Sequence, residues 1–93
     1  MSKPVQDCVL RLAPGCRLST VEGQGDMLLI PEGALRLKGP ARAIVELCNG
    51  ERAFREIVEI LKQRYPPEDA ERIEPEVVAL FTRLHDRGVL EYL

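Results

Sequence analysis

"LLIPEGALRLKG", residues 28–39, decides how the first half of this 93-residue chain folds. Two short apolar runs, Met27 to Ile30 and Ala34 to Leu37, flank Pro31-Glu32-Gly33, and the second run stops against Gly39-Pro40. Proline presets φ at the second position of a turn and glycine suits the fourth, so Ile30 to Gly33 reads as a type I turn between two strands. Alternation in the strand from Ala34 to Lys38 sends Leu35 and Leu37 to one face and Ala34, Arg36 and Lys38 to the other. A hairpin this short is marginal alone in water. It must lean on the rest of the chain, and its last strand is expected to lack a neighbour on one side.

Toward the N-terminus, Pro14-Gly15, Gly23 and Gly25 divide the chain into segments that suit strands and turns. "CRLSTV" (16–21) and "DMLLI" (26–30) are the preceding strands, with "EGQGD" (22–26) as their loop. After Gly39 the apolar period becomes helical. Pro40 suits a first helical position, where its missing N–H is no loss; Ile44, Leu47 and Cys48 share a stripe, and Asn49-Gly50 offers a C-terminal cap. Phe54, Ile57, Val58, Leu61 and Tyr65 predict a second helix, with Glu51/Arg55 and Arg52/Glu56 paired outside and Pro66-Pro67 as its stop. A third helix is expected to start near Pro75, to carry Val77, Val78, Phe81 and Leu84 as its stripe with Leu80 at the margin, and to end at Gly88. "VLEYL" (89–93) reads as a terminal extended piece. The expectation is a small α+β, winged-helix-like domain over residues 8–93, a three-stranded antiparallel sheet followed by three helices, behind a mobile tail at 1–7.

Composition narrows the function classes. With 45% apolar and 30% charged residues the chain has enough for one modest core and is unlike a disordered segment. A net charge of -2 creates no field that gathers nucleic acid or an anionic membrane, and four aromatics without tryptophan make poor stacking platforms. The acids crowded at Glu68, Asp69, Glu71, Glu74 and Glu76 read as a solvated helix entrance, where the helix dipole favours them. Cys8, Cys16 and Cys48 lack C-x-x-C spacing and read as free thiols in a reducing cytosol; with the lone His85 they are too scattered for a zinc site. The longest apolar run, Val77 to Phe81, is too short to span a bilayer, and "MSKPVQD" has no signal-peptide core. There is no phosphate loop, no H-E-x-x-H and no nucleophile motif.

"LAPGCRL" (12–18), "MLLIPEGALRLKGPARAIVELCNGERAFREIVEILKQRY" (27–65) and "VVALFTRLHDRGVLEYL" (77–93) resemble the D protein family of pyrroloquinoline quinone (PQQ) biosynthesis, PqqD. The most specific parts are the Pro-Glu after the apolar strand, the block from Leu37 to Gly50 and the closing L-x-x-R-G-V-L; Asn49 stands where the family usually has Asp. The resemblance implies a cytoplasmic, non-enzymatic peptide chaperone with no cofactor of its own. It would hold the ribosomally made precursor peptide and present it to a radical S-adenosylmethionine enzyme. It also implies where the peptide lies: along the third strand and against the third helix, as a strand added to the vacant edge.

On that basis the candidate peptide-binding residues are Leu35, Arg36, Leu37, Lys38, Val77, Val78, Phe81, Leu84 and His85. Each has a plainer reading. The two leucines and the helix stripe read first as core. Arg36 and Lys38 serve to keep an exposed edge from pairing with itself, and His85 as a half-buried or solvent-facing side chain. The same edge predicts homodimers at high concentration, by edge pairing or by strand exchange through Pro31-Glu32-Gly33. The competing function is a winged-helix DNA-binding regulator, for which the third helix offers only Arg83 and Arg87 as fixed cations.

Overall fold

The computed structural model of the chain describes residue 4, residues 6–23 and residues 25–93. The first three residues and residue 5 of the expected tail, and residue 24 at the centre of the expected loop, lie outside the described residues. Gln6 and Asp7 are tied to the body of the protein. The Arg55 N–H donates to the Gln6 carbonyl at 3.1 Å, and the Arg55 guanidinium pairs with Asp7 at 2.7 Å.

Punctuation by Pro and Gly gives the first sheet as expected. Strands β2 (Arg17–Val21), β3 (Gly25–Ile30) and β4 (Gly33–Arg36) run antiparallel with β3 central, and Pro31-Glu32 forms the tight connection between Ile30 and its partner Gly33. Leu28 is fully buried opposite Leu18 on one side and Leu35 on the other. The third strand ends at Arg36 rather than Lys38, although the Leu37 N–H still donates to the Asp26 carbonyl at 2.9 Å. Gly39 then takes a positive φ of 59° and Pro40 leads into helix α1 (Ala41–Glu46). Arg42 fixes that helix to the sheet, reaching Asp26 at 3.3 Å, Thr20 Oγ1 at 3.1 Å and the Ser19 carbonyl at 3.3 Å.

A second three-stranded antiparallel sheet, absent from the sequence expectation, closes the fold. Strand β1 (Val9–Leu12) lies between β5 (Asn49–Ala53) and β6 (Leu90–Tyr92), the last within the expected terminal piece. Asn49-Gly50 therefore opens a strand instead of capping a helix. The Asn49 Oδ1 accepts from the Glu51 N–H at 3.0 Å, and Gly50 sits where the pairing with β1 shifts register, with a φ of +83° that favours glycine. With Glu51 and Arg52 in a strand, the expected helical pairs Glu51/Arg55 and Arg52/Glu56 do not form. Instead the Glu56 carboxylate accepts from the Ala53 N–H at 3.2 Å, satisfying an amide at the start of helix α2 (Phe54–Arg64).

A 3₁₀ turn at Pro67–Asp69 leads into helix α3 (Ala70–Asp86), which begins five residues before the expected start and carries Pro75 inside it. Proline at that position forfeits one bond, the one to the Glu71 carbonyl. Buried Ile73 and the Asp69–Arg72 pair at 2.7 Å hold the added turn. The core lies between the helices and both sheets. Leu10, Leu28, Ile57 and Phe81 are fully buried in it, and Phe54 meets Phe81 edge to face with centroids 6.1 Å apart. The class is α+β, with two small sheets where one was expected.

Candidate functional site

Strand β4 is an edge strand, and one hydrogen bond fixes which of its main-chain groups are free. In an antiparallel ladder residues alternate between facing the partner strand and facing away. The Leu37 N–H bonds to β3, so Leu35 and Gly33 face β3 too, and Ala34 and Arg36 turn their N–H and C=O groups to the open side. The Lys38 N–H joins them, while its carbonyl accepts from the Ala41 N–H at 3.2 Å. Among the described residues no strand pairs with this side.

Beside the open edge runs a groove of about 450 Å³. Leu35, Arg36, Leu37, Lys38 and Ala41 form one wall, and Leu80, Arg83, Leu84 and Arg87 of α3 form the other. Leu35 and Leu37 are half-buried and packed on the core, whereas Arg36, Lys38, Arg83 and Arg87 are exposed. The result is an apolar floor rimmed by four cations, with no acidic side chain in the lining. Such a groove beside free strand groups is suited to an extended peptide, held by main-chain hydrogen bonds and by pockets for alternate side chains.

The nine candidate residues divide. Leu35, Arg36, Leu37, Lys38 and Leu84 come together in the groove. Val77 and Phe81, 1% and 0% exposed, face the core, and Val77 also borders a separate cavity of about 180 Å³ with Ile44, Leu61, Tyr65 and Ile73. Val78 lies on the outer side of α3 with Glu74, Ala79 and Asp86. His85 turns toward β6 and stacks on Tyr92. Three α3 residues in the groove were missed as site residues: Leu80, Arg83 and Arg87. Spacing was the available signal, because residues three and four apart share a helix face: Leu80 and Arg87 stand four before and three after Leu84, and Arg83 stands three after Leu80 and four before Arg87.

The titration of Cys16 and Cys48 does not prepare a nucleophile. Burial pushes the Cys48 thiol up to about 12, and burial, then Glu32 and Glu91, also raise Cys16; a reactive thiol is shifted the other way. Among the described residues no group of three or more His, Cys, Asp or Glu is arranged to hold a metal ion, and no helix is long and apolar enough to cross a membrane. The outer face of α3 mixes Glu74 and Asp86 with Arg83 and Arg87, a poor surface for gripping phosphates.

The family described as coenzyme PQQ synthesis protein D (PqqD) matches residues 27–90. A PqqA binding protein from Methylococcus capsulatus is 40% identical over 72 residues, covering 76% of this chain and 74% of that protein. Another from Azotobacter vinelandii is 30% identical over 92 residues, 98% of each. Among solved structures, the PqqD truncation of Methylobacterium extorquens PqqCD superposes with a TM-score of 0.73 at 33% identity, covering 89% of this chain and 88% of that one. It is described as a functional, stand-alone recognition element for ribosomally synthesized and post-translationally modified peptides. The heterocyclase TruD matches with a TM-score of 0.62 at 26% identity, over 92% of this chain and 12% of that much larger one.

Proposed function

The chain belongs to the PqqD family, and from that membership we propose that it binds the PqqA precursor peptide of PQQ synthesis and presents it to the radical S-adenosylmethionine enzyme of the pathway. The observation that carries this reading is the open edge of β4 beside a cation-rimmed apolar groove. The peptide adds to the sheet as a strand next to β4. It takes the free groups of Ala34 and Arg36 and the Lys38 N–H, and it rests alternate side chains on Leu35, Leu37, Leu80 and Leu84.

Each main-chain bond contributes only ~0.5 to 1.5 kcal/mol net. Four or five of them with a few apolar anchors suit an affinity near micromolar, about 8 kcal/mol. That strength holds a substrate long enough to be handed on and still releases it. The protein's contribution is binding and orientation, without catalysis or a cofactor of its own. The occurrence of the same small fold within PqqCD and within a heterocyclase supports a module that serves a modifying enzyme. The free thiols of Cys16 and Cys48 are consistent with action in the cytoplasm.

Amide chemical-shift mapping during titration with PqqA tests the reading. Residues 34–38 and 80–87 are expected to respond together, because the peptide touches both walls. A response confined to Glu51 through Tyr65 would refute it, and retention of mixed DNA at low salt would favour the regulator instead.

A further inference from the structure

Strand geometry together with the charge of the groove constrains the peptide that fits it. Side chains directly opposite one another in a sheet point to the same face. Arg36 points to the solvent face of β4, and Leu35 and Leu37 point to the opposite, half-buried face that borders the groove. A peptide residue opposite Arg36 therefore lies beside its guanidinium. The neighbours of that residue, opposite Leu35 and Leu37, face the apolar floor. This holds whether the added strand runs parallel or antiparallel, because reversing the direction only exchanges the two neighbours.

Charge decides what sits opposite Arg36. The groove lining holds four cations and no acid, and none of Arg36, Lys38, Arg83 or Arg87 has an ion-pair partner among the described residues. Arg42, by contrast, is already committed to Asp26 and Glu46. A cross-strand acid opposite Arg36 is favourable and a cross-strand base is not, and the cations of the facing wall act with the same sign.

We infer that the groove selects a segment with an acidic residue between two apolar ones, the acid paired across the strand with Arg36 and its neighbours seated on Leu35 and Leu37. A second acid two residues along falls opposite Lys38. This inference rests on the peptide-binding reading above and adds to it the register and chemistry of the bound segment.

Calorimetric titration of the full chain tests it with PqqA and with a series of PqqA peptides that carry Lys at each position of the strand-paired segment in turn. One position flanked by apolar residues is expected to lose roughly fivefold in affinity when its acid becomes Lys. Arg36→Glu should weaken the parent peptide about as much and should restore binding of that one Lys peptide alone. Arg36→Gln should fall between, and both variants should keep the parent amide spectrum, since Arg36 is exposed. If Arg36→Glu weakens every peptide in the series equally, the cations act only as a diffuse field and the inference is overturned. Failure of parent PqqA to bind the parent protein would overturn the functional reading as well, whereas binding without the swap would overturn the register alone.

Discussion

The imidazole of His85 lies on the phenol ring of Tyr92, with centroids 3.9 Å apart and 20° between the planes. This stack joins the last turn of α3 to β6. The Val89 N–H reinforces the junction by donating to the Leu84 carbonyl at 2.9 Å, and the Val89 carbonyl accepts from the Ala13 N–H at 2.8 Å. The C-terminal end of the groove's helical wall is thereby held against the second sheet, and His85 is directed away from the groove.

His85→Ala should consequently act on stability. Loss of a stacked pair predicts a decrease of about 0.5 to 1.5 kcal/mol in a denaturant melt, with PqqA affinity within about twofold of the parent. A tenfold loss of affinity in a variant that melts like the parent would return His85 to the peptide site.

Arg83→Glu combined with Arg87→Glu should do the reverse. Both side chains are exposed, so the melt should change by no more than ~0.5 kcal/mol. PqqA affinity should fall roughly three- to tenfold at 50 mM salt, and the difference should shrink at 1 M, where the screening length is only about 3 Å. A deficit that does not depend on salt would mean that these residues contribute by packing.

Alkaline pH should destabilise the fold. Burial pushes the Cys48 thiol up to about 12 from its ordinary 9.0. Burial, followed by Cys8 and Asp86, takes the Tyr92 phenol from 10.0 to about 12. Both groups keep their protons in the folded state at pH values where the unfolded chain loses them. The associated stability is complete below pH 9 and is lost as the pH rises from 9 toward 12. Thermal melts from pH 8 to 11 should show the midpoint falling above pH 9, and Cys48→Ala should delay that fall by about one pH unit. A midpoint that stays level to pH 11 in the parent would contradict the assignment.

Without peptide, the open edge of β4 is a template for a second copy of the chain. Dimers are expected at high concentration and monomers at low, because Arg36 and Lys38 of two like edges repel. Saturating PqqA should dissolve the dimer, since one edge cannot pair with two strands. Sedimentation across a concentration series with and without PqqA gives the answer, and a dimer indifferent to the peptide must use another surface.

Local chemistry made the first sheet and the middle helix legible in the sequence. Pro31-Glu32 sets the connection, Leu35 and Leu37 alternate with exposed neighbours, and Phe54, Ile57, Val58 and Leu61 form one buried helical stripe. These patterns depend on residues a few positions apart, and the family resemblance rests in part on the same segments. The second sheet depends on none of them. Val9–Leu12 finds its partners at Asn49–Ala53 and Leu90–Tyr92, and no short-range period records a pairing across most of the chain. The α3 stripe shows the same division between levels. Its spacing marked an apolar face, but only the packing of α2 and the two sheets enclosed Val77 and Phe81 wholly in the core and left Leu80 and Leu84, also buried, bordering the groove as well. A helical period fixes which side chains share a side of the helix; which neighbouring element covers each part of that side is decided by contacts between residues far apart in sequence.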